Sequence, residues 1–127
     1  MEKKTRYSDE ELEEFRQIIN KKLEVARAEY KELMSRLDNS NSNDVSDTSP
    51  TYKALEEGTE IIQKEEALEM ASRQQKFIKA LEAALVRIHN KTYGIDRITG
   101  ELIPKERLRA VPHATLSVES KQKNRNH

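Results

Sequence analysis

The chain has 127 residues, of which 36% are charged and 35% hydrophobic, and it contains neither tryptophan nor cysteine. This apolar content is too small for a thick globular core, but an elongated helical protein that buries a narrow seam can fold with it. The 23 basic residues balance the 23 acidic ones, which argues against direct nucleic-acid binding through phosphate neutralisation. The composition therefore favours a protein partner, and the lack of cysteine excludes disulfides and thiolate metal sites.

The amino-terminal residues contain no apolar stretch typical of a secretory signal. No apolar run approaches the roughly 18 residues that a membrane-spanning helix requires. The sequence thus predicts a cytoplasmic protein with no membrane association.

A first helix is predicted from about residue 9 to about residue 38. Ser8 and Glu11 have the spacing of a capping box, in which each side chain accepts a hydrogen bond from the backbone amide of the other residue. An isolated helix of this length is marginally stable in water, so its apolar stripe needs a partner helix. The stripe consists of Leu12, Phe15, Ile19, Leu23, Ala26, Tyr30, Leu33 and Leu37.

The partner helix is predicted from residue 50 to about residue 92, after a polar segment at about 39–50 whose Asn, Asp and Ser residues favour a loop. Pro50 suits a first helical turn, and Gly58 weakens the helix locally. Residues 1–92 are therefore expected to form a long antiparallel helical hairpin, a coiled coil with the polar loop at its tip. The apolar pattern of the second helix runs through Leu68, Ala71, Phe77, Ile78, Leu81, Ala84, Leu85 and Ile88.

Residues 93–121 lack helical periodicity and predict a small C-terminal lobe, with Tyr93 and Gly94 ending the second helix. A last short helix is expected at about 113–121, and residues 122–127 are expected to be a disordered tail. The lobe has the spacing of a four-cysteine zinc knuckle, but other residues stand where the cysteines would be. These four residues, called the knuckle positions below, are Asp96, Thr99, Ser117 and Ser120.

Residues 8–121 resemble the DksA/TraR family, in which a helical hairpin precedes such a lobe. Residues 107–112, with the sequence RLRAVP, match the run that lies between the two cysteine pairs of the family. The resemblance implies a mainly α fold with a degenerate zinc-finger-like lobe that lacks its metal ligands. It also implies a bacterial transcription regulator that binds RNA polymerase and inserts its hairpin in the secondary channel, with acidic tip residues near the catalytic magnesium.

The acidic candidates for the tip depart from the family pattern Asp-x-x-Asp-x-Ala. Counting back from Asp96 places Glu56 and Gly58 at the second Asp and the Ala of that pattern. Asp47 is the best candidate for the apex acid, because it lies just before the second helix and carboxylate oxygens suit Mg²⁺. The alternative is that all the candidates are ordinary solvated carboxylates. The full set of candidates is Asp44, Asp47, Glu56 and Glu57.

The knuckle positions predict a lobe without zinc or any other metal. Neutral hydroxyls are poor zinc ligands, and Asp96 alone brings a charge. We expect Asp96 to accept hydrogen bonds from hydroxyls or amides, with the other three knuckle positions as candidate donors. A lone His113 is expected to be structural or exposed rather than a ligand. Apolar packing would provide the remaining cohesion, through Ile95, Ile98, Leu102, Ile103, Leu108 and Leu116.

Some family members bind the alarmone ppGpp through three basic positions, which align here with Ala80, Val111 and Lys121. Because two of the three are not basic, a direct response to ppGpp is not expected. The alternative is that neighbouring cations substitute for the missing ones or simply form a solvated face. The candidate basic contacts to ppGpp or polymerase are Lys79, Arg107, Arg109 and Lys121.

The sequence argues against an enzyme, because it has no glycine-rich phosphate loop, no cysteine nucleophile and no paired-histidine metal spacing. A structural coiled-coil scaffold or dimerising module without polymerase activity is the alternative function. A monomer is expected, with a dimer as the alternative. Apolar residues on the outer side of the hairpin would favour the dimer, and the candidates are Ile18, Ile61, Ile62 and Val86.

Overall fold

The computed structural model describes residues 5–41 and 50–125, with side chains described for 5–38 and 55–124. This part of the chain contains the helices α1 (Asp9–Asn41), α2 (Pro50–His89), α3 (Lys105–Ala110) and α4 (Val118–Arg125). The β structure within these residues is one isolated antiparallel bridge between Ile95 and Leu102. The predicted mainly α fold class is therefore confirmed. None of the described helices contains an 18-residue stretch apolar enough to cross a membrane.

The contacts of the chain divide it into two compact units. Unit 1 comprises Met1–Glu24 and Lys79–His127, and unit 2 comprises Val25–Ile78. Each unit contains part of α1 packed against part of α2. The lobe thus belongs to the same unit as the first turns of α1 and the last turns of α2.

The start of α1 is fixed by the predicted capping box. The Glu11 amide donates to Ser8 Oγ at 3.1 Å, and the Ser8 amide donates to Glu11 Oε1 at 3.0 Å. These two bonds satisfy amide groups that the helix itself leaves without partners. The helix ends at Asn41, three residues beyond the predicted end.

The second helix begins at Pro50 as predicted, but it ends at His89 rather than near residue 92. Lys91 adopts a left-handed backbone conformation with φ of 62°. The Lys91 amide donates to the Ile88 carbonyl at 3.0 Å, and the Thr92 amide donates to the Arg87 carbonyl at 2.8 Å. This pair of bonds is the Schellman motif, which closes a helix. The helix therefore stops before the Tyr93-Gly94 pair that the sequence suggested as its end.

Unit 1 has an apolar core centred on three aromatic rings. The rings of Tyr7 and Phe15 meet edge to face with centroids 5.7 Å apart, and those of Phe15 and Tyr93 lie 5.3 Å apart. Such aromatic pairs add to the stabilisation from burial alone. The other buried apolar residues of unit 1 are Leu12, Ile19, Leu23, Leu81, Ala84, Ile88, Ile103, Leu108 and Ala114.

Glycine is required at position 94, where the ring of Tyr7 packs against the backbone of the lobe. Its φ of +78° is a conformation that residues with a side chain rarely adopt, and an added Cβ would lie 2.6 Å from Cε2 of Tyr7. Both the backbone angle and the available space therefore demand glycine here. Gly94 lets the aromatic ring pack directly on the backbone of the lobe.

Unit 2 shows that one predicted seam position of α2 is wrong. Leu68 is 55% exposed, whereas Ala71 is buried and Ala67 is half-buried. Apolar residues occur on more than one side of this part of α2, so periodicity alone does not determine which side faces α1. The small alanines occupy the contact with α1, and the larger Leu68 points to solvent.

The last helix corrects the predicted tail. α4 spans Val118–Arg125, so residues 122–125 are helical, whereas we predicted disorder for that segment. The predicted helix at 113–121 starts later because Ser117 caps it: Ser117 Oγ accepts a hydrogen bond from the Ser120 amide at 3.2 Å. A serine in this role places the first helical residue directly after it.

Candidate functional site

The knuckle positions converge on the carboxylate of Asp96, which is only 2% exposed. Its Oδ1 accepts hydrogen bonds from the amides of Ile98 at 2.8 Å and Thr99 at 3.2 Å. Its Oδ2 accepts a hydrogen bond from the Ser117 amide at 3.0 Å. The Ser120 hydroxyl also hydrogen bonds to the carboxylate. The structure thus brings all four knuckle positions together around one buried negative charge.

This arrangement matches the expectation that Asp96 accepts hydrogen bonds from its neighbours, and it identifies the donors. Backbone amides provide three of them, and the hydroxyls of Ser120 and Ser117 donate as well. The side-chain oxygens of Ser117 and Thr99 also accept hydrogen bonds from backbone amides. Thr99 Oγ1 accepts from the Glu101 amide at 3.2 Å. The bond to Ser117 crosses 21 positions of sequence, so the carboxylate ties the loop after Asp96 to the start of α4.

The hydrogen bonds determine the ionisation of Asp96. Burial acts to raise the pKa of a carboxyl group, but the Ser120 hydroxyl and the Ser117 and Ile98 amides hold the pKa of Asp96 well below its usual range. Asp96 is therefore an ionised carboxylate at neutral pH. A charged acceptor makes shorter and stronger hydrogen bonds than a neutral one.

The donor set does not fit a structural zinc ion. Such an ion takes four strong ligands, usually thiolate or imidazole. Three knuckle positions offer neutral hydroxyls, and the oxygens of Asp96 are already occupied by amides and a hydroxyl. Within residues 5–41 and 50–125, no cluster of three or more His, Cys, Asp or Glu side chains is placed to hold a metal ion. The absence of zinc from the protein stays a prediction for metal analysis to test.

Five of the six apolar residues expected to hold the lobe together are buried or half-buried, and one is exposed. Ile103 and Leu108 are completely buried, but Ile98 is 55% exposed, so its predicted core role is wrong. Ile98 instead contributes its amide to Asp96, which turns its side chain outward. The remaining three candidates are half-buried, namely Ile95, Leu102 and Leu116.

Sequence reasoning missed the two tyrosines that join the lobe to the helices of unit 1. The Tyr7 hydroxyl donates to the Ile103 carbonyl, and the Tyr93 hydroxyl donates to the Pro112 carbonyl at 2.8 Å. Tyr7 directly precedes the capping serine, a position where an apolar residue often packs on the first turns of a helix. That position was the available signal for Tyr7.

Two of the four basic candidates line one cleft on the lobe. Arg107 and Lys121 border a cleft of about 320 Å³ together with His113. Burial, followed by the charges of Arg107 and Arg87, lowers the pKa of His113, so its imidazole is mainly neutral at pH 7. Arg107 Nε is buried without a hydrogen-bond partner among the described residues. The cleft therefore favours an anionic group.

The other two basic candidates lie elsewhere. Arg109 is 3.7 Å from Glu14 of α1, which directs its charge toward the helix. Two further ion pairs join α1 to the lobe side of unit 1: Asp9 with Lys91 at 2.7 Å and Glu11 with Lys105 at 2.5 Å. Lys79 is exposed on α2 and does not line the cleft.

The acidic tip candidates are only partly within the described residues. Glu56 is half-buried and Glu57 is exposed, both in the second turn of α2. Asp44 and Asp47 lie outside the described residues. The structure therefore describes the immediate surroundings of Glu56 and Glu57 alone.

The protein consists of a helical hairpin, formed by α1 and α2, and a small lobe. The knuckle positions of this lobe have the spacing of zinc-knuckle cysteines, so the lobe is zinc-finger-like. Over 122 residues the chain is 35% identical to the RNA polymerase-binding transcription factor DksA of Caulobacter vibrioides. This alignment covers 92% of the chain and 78% of the relative. The chain belongs to the DksA family.

Two further comparisons found similar proteins. An uncharacterized protein of Bacillus subtilis, YteA, is 34% identical over 64 residues, which cover 50% of this chain and 27% of YteA. The structure of transcription factor DksA2 from Pseudomonas aeruginosa matches with a TM-score of 0.78 at 23% identity, covering 91% of this chain and 83% of that one. This structural similarity shows the shared fold. No protein-family model matches the sequence.

Proposed function

We propose that this protein regulates transcription by binding RNA polymerase. One observation carries the proposal. Over 92% of its length the chain is 35% identical in sequence to a protein named as an RNA polymerase-binding transcription factor. That similarity favours a regulator over an enzyme. A regulator that binds the polymerase would act in the cytoplasm, and we propose that location for this protein. A net charge of zero supports contact with polymerase rather than with DNA.

The proposed mode of action is insertion of the helical hairpin in the secondary channel of the polymerase. Carboxylates near the hairpin tip would then approach the catalytic magnesium, for which carboxylate oxygens are suitable ligands. The exposure of Glu57 supports a role for it. Asp44, Asp47 and Glu56 are the other acids proposed to act there.

A binding titration tests the proposed partner. The fluorescently labelled full-length chain is titrated with a bacterial core RNA polymerase, and anisotropy reports complex formation. We expect saturable binding that excess unlabelled protein competes away. A chain that stays unbound at micromolar polymerase would refute the proposed function.

Substitution of the acids tests the proposed role of the tip. Asp47→Asn and Glu57→Gln each remove one charge with little change of shape, and Glu119→Gln in the lobe is the matched control. We expect the two tip variants to keep polymerase affinity but lose part of their effect on transcription from a responsive promoter. Unchanged regulation by both variants would remove these acids from the mechanism.

A second measurement locates the tip directly. Fe²⁺ in place of the catalytic Mg²⁺ generates hydroxyl radicals that cleave nearby polypeptide. We expect cleavage of the bound chain between residues 44 and 57. Cleavage in the lobe instead would contradict the proposed orientation.

The cleft lined by Arg107 and Lys121 is the proposed contact for an anionic group of the polymerase. Arg107→Gln and Lys121→Gln are expected to weaken polymerase binding, most clearly at low salt, because the lost attraction is electrostatic. Addition of ppGpp should change transcription little, since the aligned positions Ala80 and Val111 are not basic. A strong ppGpp response that Arg107→Gln abolishes would show that the nearby cations replace the missing ones.

A further inference from the structure

The part of α2 within unit 2 has a large apolar surface that faces solvent. Leu55 is 67% exposed, Ile61 57%, Ile62 58% and Leu68 55%. Leu55 and Ile62 are seven residues apart, as are Ile61 and Leu68, so they form two columns roughly 100° apart around the helix. Gly58, which has no side chain, and Glu65 lie between these columns. We call this surface, formed by Leu55, Ile61, Ile62 and Leu68, the outer face of α2.

The outer face is not used to pack α2 on α1. The opposite side of the helix makes that contact through Ala67 and Ala71. Single exposed apolar residues are common on protein surfaces, but a contiguous group of large ones marks an interaction site. Four large aliphatic side chains within four turns form such a group.

Acidic residues lie within and beside the outer face: Glu65 is between its two columns, and Glu57 and Glu66 flank it. Glu57, Glu65 and Glu66 are exposed, and among the described residues their side-chain carboxylates are in no ion pair or hydrogen bond. By contrast, Glu69 is paired with Arg73 at 2.8 Å. Residues 55–69 contain six glutamates and a single cation, Lys64. A surface that covers the outer face would therefore gain from carrying positive charge.

These charges disfavour a second copy of the chain as the occupant. An antiparallel pairing of two α2 helices centred between Ile61 and Ile62 would match the apolar residues well. The same pairing would place Glu57 of each copy against Glu66 of the other. Like charges brought together at the edge of an apolar interface oppose association.

We infer that the outer face of α2 docks against a basic amphipathic helix of RNA polymerase. The apolar side of that helix covers the four aliphatic residues, and its Lys or Arg side chains face Glu65 and Glu66. This inference rests on the proposed function and adds to it the segment of the chain and the chemistry of the facing surface. It uses a surface separate from the acids of the polar loop.

The apolar part of the inference is tested with the double variant Ile61→Gln/Leu68→Gln in the full-length chain. Because both side chains are more than half exposed, the helix content measured by far-UV circular dichroism should not change. The dissociation constant for core polymerase should rise on the order of tenfold, mainly through faster dissociation. The matched control is Val86→Gln, which is also on α2 and 58% exposed, and its affinity should stay within about twofold of wild type.

The electrostatic part is tested with Glu65→Gln/Glu66→Gln. This variant should associate more slowly at low salt, and its affinity should depend less on salt than that of the wild type. An unchanged salt dependence would show that the facing surface is not basic.

The outcomes separate this inference from the proposed function. If wild-type protein does not bind polymerase, both are wrong. If wild type binds and Ile61→Gln/Leu68→Gln binds as tightly, only the docking surface is wrong. A stable dimer in light scattering that this double variant abolishes would assign the outer face to a second copy and overturn the inference.

Discussion

The buried carboxylate of Asp96 makes a quantitative prediction for the variant Asp96→Asn. Asparagine has nearly the same shape but keeps only one acceptor oxygen, so its amide nitrogen would face either the Ser117 amide or the amides of Ile98 and Thr99. In the orientation that keeps the bonds to Ile98 and Thr99, the bond between Oδ2 and the Ser117 amide is lost. A hydrogen bond to a charged group contributes about 1.5–3 kcal/mol, and a buried amide left without an acceptor costs about 1–3 kcal/mol. These two effects overlap, and we expect Asp96→Asn to lower the free energy of unfolding by about 2–4 kcal/mol.

Thermal and urea denaturation measure this loss. Two of the four tyrosines, Tyr7 and Tyr93, are buried in unit 1, and the chain contains no tryptophan. The near-UV circular dichroism of these two immobilised rings follows the unfolding of unit 1, and the variants Tyr30→Phe and Tyr52→Phe remove the tyrosine signal of unit 2. For a chain of this size about 1 kcal/mol corresponds to about 4 °C in Tm. The expected decrease in Tm is therefore about 10 °C.

Glu119→Gln is the control for Asp96→Asn, because it removes one exposed acidic charge from the same lobe. Its Tm should change by no more than about 2 °C, as is usual for surface substitutions. If Asp96→Asn changes Tm no more than this control, the carboxylate does not organise the lobe and the reasoning is refuted.

Three further predictions follow from other features of the structure. Cysteine at all four knuckle positions should create a site that binds one Zn²⁺ per chain and raises Tm, because the four residues already converge; metal analysis showing well under one zinc per chain would contradict this. Gly58→Ala should raise the free energy of unfolding by about 0.5–1 kcal/mol in urea denaturation, since an added Cβ meets nothing within 4 Å and alanine favours the helix; a loss of stability would show that this turn is not a regular exposed helix. The lowered pKa of His113 means that the folded state binds its proton less readily than the unfolded state, so stability should be complete above about pH 6.5 and decrease as the pH falls below it. His113→Gln should remove that part of the pH dependence between about pH 5 and 7, and an identical urea midpoint profile for variant and wild type would rule out His113 as its source.

The parts of the fold that sequence predicted are those set by local chemistry. Ser8 and Glu11 are three residues apart, so their mutual capping bonds could be inferred without knowing any other part of the structure. Pro50 likewise marked the start of α2. The convergence on Asp96 could be predicted because the spacing of the knuckle positions resembles that of a known lobe.

The parts that sequence did not predict depend on contacts between distant residues. Leu68 and Ala67 are neighbours in α2, and the choice of which one faces α1 depends on how α1 and α2 fit together. The sequence predicted Ile98 as a core residue. Because the Ile98 amide donates a hydrogen bond to Asp96, the side chain of Ile98 faces solvent instead. The packing of Tyr7 on Gly94 joins segments too far apart for any local pattern to reveal.

The position of Tyr7 has a consequence for how the protein is made. Its hydroxyl donates to a carbonyl 96 residues further along the chain, so this contact forms only after a segment that is synthesised much later has left the ribosome. Until Ile103 has emerged, Phe15 and its neighbours on α1 lack their final cover. Tyr7 and Phe15 therefore lack this cover in the nascent chain until residues 93–103 have emerged, and removing Tyr7 by truncation would leave Phe15 without its edge-to-face partner in the folded protein.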